Sequence, residues 1–424
     1  MKKQRLMALV LAVLFCAALL AGCTNSGGGT SPTPTADTST EPDETPEGSG
    51  EPDETGNSDD LVDEKLTVKV GILGPYTGTV AQYGLNVRSG ADLYIKQYNA
   101  GNGSLTIEPV HYDEEGDPAK AVTGYNYLMD EGVAAIIGDV TTAPMLAVVS
   151  ESQADNTVLI TASATGAAVT YDEASDTVYE NVFRSCFTDP FQGRTMADFA
   201  FEELNATTAA VLFHTSDDYS VGLKDAFNAR CEELGIEIVA SEGFTAGAVD
   251  FQGQLTTIAS KNPDVLFVPY YYETIALVAQ QAASAGLTTT MIGGDGWDTV
   301  LEYVSDPALL EGAYYCSGYT THDPTSATQQ FFADYMEEYG TSPDTFCAQG
   351  YEAAAILIAA IEKVAATGIE VGSDEYNEAL IAAMKATDLE SVTGPITYDA
   401  FNNPEKEAVI INIAGGELSF WGKF

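Results

Sequence analysis

Asp295 stands between two glycines in Gly294-Asp295-Gly296-Trp297, directly after the apolar pair Met291-Ile292. Glycine on either side lets another molecule come close to the carboxylate, which suits capture of a cation; a plain turn aspartate would be written the same way. Thr142 follows an apolar run and opens a helix-like one, where free backbone N–H groups and the positive helix end favour an anion. A threonine at that place also serves as a simple helix cap. Thr165 occupies an equivalent loop, Ala162-Ser163-Ala164-Thr165-Gly166, and carries the same two meanings. Tyr270-Tyr271-Tyr272 is harder to assign to structure alone, because no half-buried strand or helix face needs three adjacent phenols. These groups can hold a small molecule by its charges and its flat or apolar surface.

Motifs that would transform a molecule are not found in the sequence, and although it holds carboxylates of the kind glycosidases use, nothing nominates a pair of them. It contains no GxSxG elbow, Walker loop, HExxH or GxGxxG. His111, His214 and His322 are scattered and give no metal-ligand spacing; His214 lies away from the proposed contacts. The acidic pairs Glu114-Glu115 and Asp217-Asp218 fall at expected loop or helix starts, where capping accounts for them. Cys186, Cys231, Cys316 and Cys347 are far apart without CxxC pairing, so neither a zinc site nor a redox pair is indicated. One disulfide or four buried thiols both fit. The expectation is a binding protein with no enzyme activity, no metal and no cofactor.

The elements that must position these groups alternate. Strand signals at 66–73, 105–110, 134–137 and 157–160 are separated by helical patterns at 80–98, 118–130 and 142–153. Asp117-Pro118 is a helix start, a cap followed by proline at the first helical position. A second series has strands at 209–213, 237–240, 265–268 and 291–292, with helices near 191–204, 218–234, 251–259 and 274–285. Helices at 326–339, 347–366 and 374–385 follow, and a hairpin-like end is expected from 395–398 and 408–413. Strands separated by helices of this length indicate βαβ units and parallel sheets. The fold class is therefore α/β, with two doubly wound parallel-sheet lobes joined by a multi-strand hinge and a ligand cleft between them. The expected division is 66–187 plus 320–390 for one lobe and 188–319 plus 391–424 for the other. In open α/β sheets ligands sit at the carboxyl ends of strands, and two such lobes can close on a solute.

The N-terminus carries a different message. Lys2, Lys3 and Arg5 precede an apolar stretch, Leu6 to Leu20, too short to span a bilayer; this is a signal-peptide pattern over 1–22. From 23 to 65 the chain is mostly Gly, Ser, Thr, Pro, Asp and Glu with almost nothing apolar, and Thr24–Glu64 holds twelve acidic residues without Lys or Arg. Such a segment cannot bury enough surface to order itself and should be an extended tether. About 360 residues remain for the body, more than one core usually serves. A net charge of −46 argues against nucleic acid and against direct contact of the body with an anionic membrane.

Leu20-Ala21-Gly22-Cys23 resembles the lipobox of bacterial lipoproteins, which implies acylation at Cys23 and anchoring on the extracytoplasmic face of the cell membrane. Gly71-Ile72-Leu73-Gly74-Pro75-Tyr76-Thr77-Gly78, with Ala81-Gln82-Tyr83-Gly84, is similar to the opening of the type I periplasmic binding proteins of branched-chain amino acid transporters. Tyr112 to Pro118, Ile137-Gly138-Asp139-Val140-Thr141-Thr142, Val182-Phe183-Arg184 with Asp189 and Gln192-Gly193, Pro269 to Glu273, and Gly294 to Trp297 follow in the same order. The resemblance covers 66–424. It implies that Thr142 and Thr165 bind a ligand carboxylate, that the Ser163 carbonyl and Asp295 take its ammonium, and that Tyr83, Tyr219 and Tyr271 line the cleft, with Trp297 joining them. The family often has Glu where this chain has Asp295. It further implies an amino acid ligand, branched-chain or otherwise apolar, and a monomer that delivers it to an ABC permease and ATPase. A ligand-sensing receptor for an amide or another small solute is the alternative.

Overall fold

The protein is described here from a computed structural model, over residues 65–101 and 103–424. The signal, lipobox and tether assignments lie outside the described residues.

The first lobe begins with β1 (Leu66–Gly74), α1 (Ala81–Ala100), β2 (Leu105–Asp113), α2 (Pro118–Asp130), β3 (Ile136–Ile137), α3 (Thr142–Ser152) and β4 (Leu159–Thr161). A two-residue ribbon, β5 (Tyr171–Asp172) with β6 (Thr177–Val178), precedes β7 (Val182–Arg184). Strand order is β2-β1-β3-β4-β7, and all four pairings are parallel. Asp117 caps α2 by accepting from the Ala119 and Lys120 N–H groups, with Pro118 at the first helical position, as its sequence implies.

The second lobe runs α4 (Asp189–Glu202), β8 (Thr208–His214), α5 (Asp218–Leu234), β9 (Glu237–Phe244), α6 (Gln252–Lys261), β10 (Val265–Phe267), α7 (Tyr272–Ser284), β11 (Thr290–Gly293) and β12 (Tyr314–Ser317). The chain then returns to the first lobe as α8 (Ser326–Tyr339), α9 (Thr345–Ala365) and α10 (Asp374–Lys385), followed by the hairpin β13 (Asp388–Ser391) and β14 (Gly394–Thr397). It ends in β15 (Val409–Ala414) and β16 (Glu417–Lys423), which add antiparallel strands to give the order β16-β15-β12-β11-β10-β8-β9.

What holds α9 in the first lobe is a close crossing with α1. A Cβ at Gly90 would lie 1.9 Å from the Cys347 carbonyl, and one at Gly350 would lie 2.1 Å from that of Val87. Only glycine permits this approach, so the two backbones touch and the apolar face of α9 covers the sheet. The chain crosses between lobes three times, near 185–188, 318–325 and 398–408. On the third crossing, Lys406 forms a buried ion pair with Glu352 of α9.

Two expectations are corrected. The chain does not end in a hairpin of 395–398 with 408–413: β14 pairs with β13, and β15 pairs with β12 and β16. The expected lobe boundary at 390/391 consequently falls inside the β13–β14 hairpin. The four cysteines are buried and free. Among the described residues no helix is long and apolar enough to cross a membrane.

Candidate functional site

The carboxyl ends of β3, β4, β10 and β11 face one another across the lobes, and the loops after them enclose a small cavity. Tyr83, Val140, Thr141, Thr142 and Ser163 line it from the first lobe, with Phe346 at the start of α9. Tyr219, Tyr271, Asp295 and Gly296 line it from the second. Its volume is about 10 Å³, close to the least that admits one water. The lobes are thus closed against each other.

Asp295 is the charged centre of this cavity and is 2 % exposed. Its Oδ1 accepts from Tyr219 Oη at 2.8 Å and from Gln192 Nε2 at 3.1 Å. Its own N–H donates to Gln192 Oε1 at 2.9 Å, so one glutamine side chain grips both backbone and carboxylate. Both side-chain bonds fall on Oδ1, and among the described residues Oδ2 accepts none. Burial pushes the carboxyl pKa up to about 6, with Tyr219 and Gln192 opposing the rise.

Tyr219 is positioned by the start of α5, where Asp217 caps the helix through the Ser220 N–H. Its hydroxyl also accepts from the Gly296 N–H at 2.9 Å, and its ring stacks on Tyr271 with centroids 5.1 Å apart. Tyr83, on the first turn of α1, reaches across the cleft. Its hydroxyl donates to the Gly296 carbonyl at 2.6 Å and accepts from the Tyr272 N–H at 3.2 Å. It is held there by stacking on Phe346, at 4.3 Å between centroids.

On the opposite wall Thr142 is the first residue of α3, and Thr141 before it gives that helix no side-chain cap. Pro144 in the same turn carries no N–H, so the first-turn donors of Thr142 and Ala143 are the ones available to an anion. Thr142 Oγ1 accepts from the Gly166 N–H at 3.3 Å. Ser163 Oγ donates to the Val140 carbonyl at 2.8 Å, and its own carbonyl accepts no hydrogen bond among the described residues. Arg184, fully buried on β7, fixes this loop by donating to the carbonyls of Ala164 and Gly166 and to Thr170.

Tyr83, Thr142, Ser163, Tyr219, Tyr271 and Asp295 therefore converge on one cavity. Two residues stand elsewhere. Trp297 is fully buried beneath the floor, its indole N–H donating to the Val268 carbonyl at 2.8 Å, and it packs beside Tyr315 in the core of the second lobe. Thr165 is buried just outside the cavity. Its carbonyl accepts from the Asp189 N–H, and its hydroxyl is turned toward the Asp189 carboxyl, which burial raises well above the usual range. Neither Thr165 Oγ1 nor either Asp189 carboxyl oxygen has a hydrogen-bond partner among the described residues.

Some contributors have no specific sequence signal. Phe346 and the Gly296 carbonyl come from segments that read as a helix start and a turn. Gln192 stands in a recognisable Gln-Gly pair, yet its grip on Asp295 requires β11 and α4 to meet in space. His214, expected to lie apart, lines a second chamber of about 210 Å³ with Tyr270 and Phe244, and this chamber shares Tyr271 with the cleft. The His214 ring stacks on Tyr270, and burial lowers its pKa. Among the described residues no group of His, Cys, Asp and Glu could hold a metal ion.

Two parallel α/β lobes, crossed three times and closed over a polar cavity, define a type I periplasmic binding protein, and the chain belongs to that family: the family described as "Periplasmic binding protein" matches residues 67–417. Proteins it is similar to include binding proteins for branched-chain amino acids. The Leu/Ile/Val-binding protein BraC3 of Rhizobium johnstonii is 28% identical over 336 residues, covering 78% of this chain and 87% of that protein. A leucine binding protein, LivK, from Thermotoga maritima superposes with a TM-score of 0.76 at 29% identity, over 84% of this chain and 98% of that one. A solute binding protein of an ABC transporter from R. palustris, solved in complex with benzoate, superposes with a TM-score of 0.75 at 25% identity, over 84% and 96%.

Proposed function

We propose that this protein is an extracytoplasmic, lipid-anchored substrate-binding component of an ABC importer. It captures an α-amino acid with an apolar side chain by cleft closure and delivers it to a membrane permease and its ATPase. The observation that carries the reading is the division of charge in the cavity. Asp295 offers an unused carboxylate oxygen on one wall, and the uncapped start of α3 offers unused N–H donors on the other. A zwitterion has one group for each. Tyr83, Tyr219 and Tyr271 supply rigid contact area at low entropic cost, and Tyr83 ties the two lobes once they meet. The leucine-binding and Leu/Ile/Val-binding relatives support this ligand class.

The experiment is a calorimetric panel of free amino acids against the purified protein. Binding of at least one apolar amino acid is expected, with a rise in melting temperature; a ligand at ~100 times its dissociation constant adds about 2.7 kcal/mol of stability. Silence across the whole panel would remove the amino-acid reading.

A second reading, an aromatic or other carboxylate without an ammonium, is favoured by the benzoate complex of the R. palustris neighbour. Such a ligand would use the α3 start and leave Asp295 without a partner. Its binding would be indifferent to Asp295→Asn, which separates the two readings.

A further inference from the structure

The closed cleft has room for about one water, so it can seat an amino acid side chain only where a wall gives way. Most of its walls are pinned. The Tyr83 hydroxyl is bonded to Gly296 and Tyr272, and its ring stacks on Phe346. The Tyr219 hydroxyl is bonded to Asp295 and Gly296, and Trp297 packs beneath the floor they form. Tyr271 differs from these. Its ring stacks on Tyr219 and touches Tyr83 and Tyr270, but it is half-buried and its hydroxyl makes no hydrogen bond among the described residues. Tyr271 is also the one residue that lines both the cleft and the neighbouring chamber of about 210 Å³.

That chamber lies on the same face of the lobes as the cleft. Thr79 and Val80 reach it from the loop after β1, His214 ends β8, Phe244 ends β9 and leads into the 245–249 loop, and Leu277 comes from α7. Both lobes wall it, so it takes its shape on closure. Its rings form a corner. Tyr270 and His214 lie parallel with centroids 5.1 Å apart, and Phe244 stands at 84° to the first and 87° to the second. Burial lowers the His214 pKa, so this ring is uncharged at pH 7 and adds a flat surface without a charge. A cavity of about 150 Å³ is enough to take up benzene, and a corner of faces and edges suits a further ring better than a branched chain. Glu273 lines the chamber and no Lys or Arg does, which disfavours an acidic side chain there.

We propose that this chamber is the side-chain subsite of the binding protein, that the Tyr271 ring turns aside to open it, and that the amino acid captured carries an aromatic side chain. The inference rests on the zwitterion reading of the cleft. With the ammonium on Asp295 and the carboxylate at the α3 start, the ligand backbone lies beside Tyr219 and the Tyr271 ring stacked on it, and the side chain leaves past Tyr271. Turning that ring breaks no hydrogen bond of its hydroxyl. A ligand ring then gives Tyr270 and Phe244 the aromatic contact that Tyr271 withdraws, which an aliphatic side chain does not supply.

The test is calorimetric titration of the purified protein with phenylalanine, tryptophan, leucine, valine and alanine. Phenylalanine binds more tightly than valine by roughly tenfold or more, as burial of several further apolar carbons requires. Ala248→Trp fills the chamber from the 245–249 loop, which does not line the cleft. It weakens phenylalanine by roughly tenfold or more, because the filled chamber resists overpacking, and leaves valine unchanged. Thr245→Trp, at an exposed position on the chamber rim, has the same effect and decides the matter if Ala248→Trp fails to fold. Leucine or valine binding as tightly as phenylalanine would overturn the inference and leave the amino-acid reading standing. So would unchanged phenylalanine affinity in the filled variants, or an equal loss of phenylalanine and valine in a folded one. Silence with all five amino acids would remove that reading, and the inference with it.

Discussion

Replacing Asp295 with Asn should move affinity and stability in opposite directions. In the ligand-free protein the carboxyl pKa rises from the usual 3.8 to about 6. That rise corresponds to about 3 kcal/mol of preference for the neutral form, at 1.36 kcal/mol per unit. The native state therefore binds more protons than the unfolded chain between about pH 4 and 6, and stability falls as pH rises through that window. Asparagine has no charge to desolvate and keeps an oxygen for Tyr219 and Gln192. The variant should be more stable than wild type at pH 7, by up to about 3 kcal/mol, and should lose the fall between pH 4 and 6.

The bound state reverses the sign. A ligand ammonium on Oδ2 offsets the desolvation of the charge, and a hydrogen bond to a charged group contributes about 1.5–3 kcal/mol. Loss of that bond, with an amide N–H now facing the ammonium, should weaken binding by roughly 10- to 150-fold. Wild-type affinity should also fall by up to about tenfold per pH unit below pH 6 as Asp295 takes a proton, and the variant should lack this dependence. Calorimetric titration of the tightest amino acid at pH 5, 6 and 7, with denaturant melts of the ligand-free proteins, reads both effects. An unchanged dissociation constant in Asp295→Asn would refute the ammonium assignment whatever the stability does.

Tyr83→Phe removes the hydroxyl that joins the lobes through Gly296 and Tyr272, and should cost about 0.5–1.5 kcal/mol of binding, seen as roughly a 2- to 12-fold weaker dissociation constant. Trp297→Ala should act on the fold before the ligand: a fully buried Trp leaves a cavity worth about 3–5 kcal/mol, measured as a shift in urea midpoint. Lys406→Met strands the buried Glu352 carboxylate at the third crossing and should destabilise the protein by about 3–5 kcal/mol in the same melt. Cys23→Ala should abolish incorporation of labelled lipid; a wild-type protein that takes up no label would end the anchor assignment.

The parts of the fold legible in the sequence are those whose signal is local. α2 begins and ends where Asp117-Pro118 and the apolar period place it, and α5, α8 and α10 also span the expected residues. Their caps are short-range contacts, such as Asp217 to the Ser220 N–H, so spacing alone predicts them. The strands missed are short or carried by partners. β7 is three buried residues inside a segment that reads as a lobe crossing, and β12 is four. β16 has mostly exposed residues and exists because β15 pairs with it, an antiparallel partnership that no pattern in 417–423 announces. The expected terminal hairpin fails for the same reason: pairing is a property of two segments, and each had more than one partner in reach.

The site divides along the same line. Residues next to a strand end or helix start, such as Thr142 and Asp295, are visible because backbone geometry at those places dictates what they can face. Trp297 shows the limit: two residues beyond Asp295, it shares the turn but points into the core, because the short helical turn at 295–297 rotates it away from the cleft. Thr165 shows the same limit within a loop, since long-range bonds from Arg184, Ser163 and Gly166 set which side of 162–166 faces the cavity and which faces Asp189. Gln192 is the most instructive case. It touches no expected ligand group, yet it holds Asp295 by backbone and carboxylate together and thereby leaves Oδ2 as the open acceptor. A sequence names the charge that meets a ligand more readily than the neutral amide that decides which of its oxygens is free.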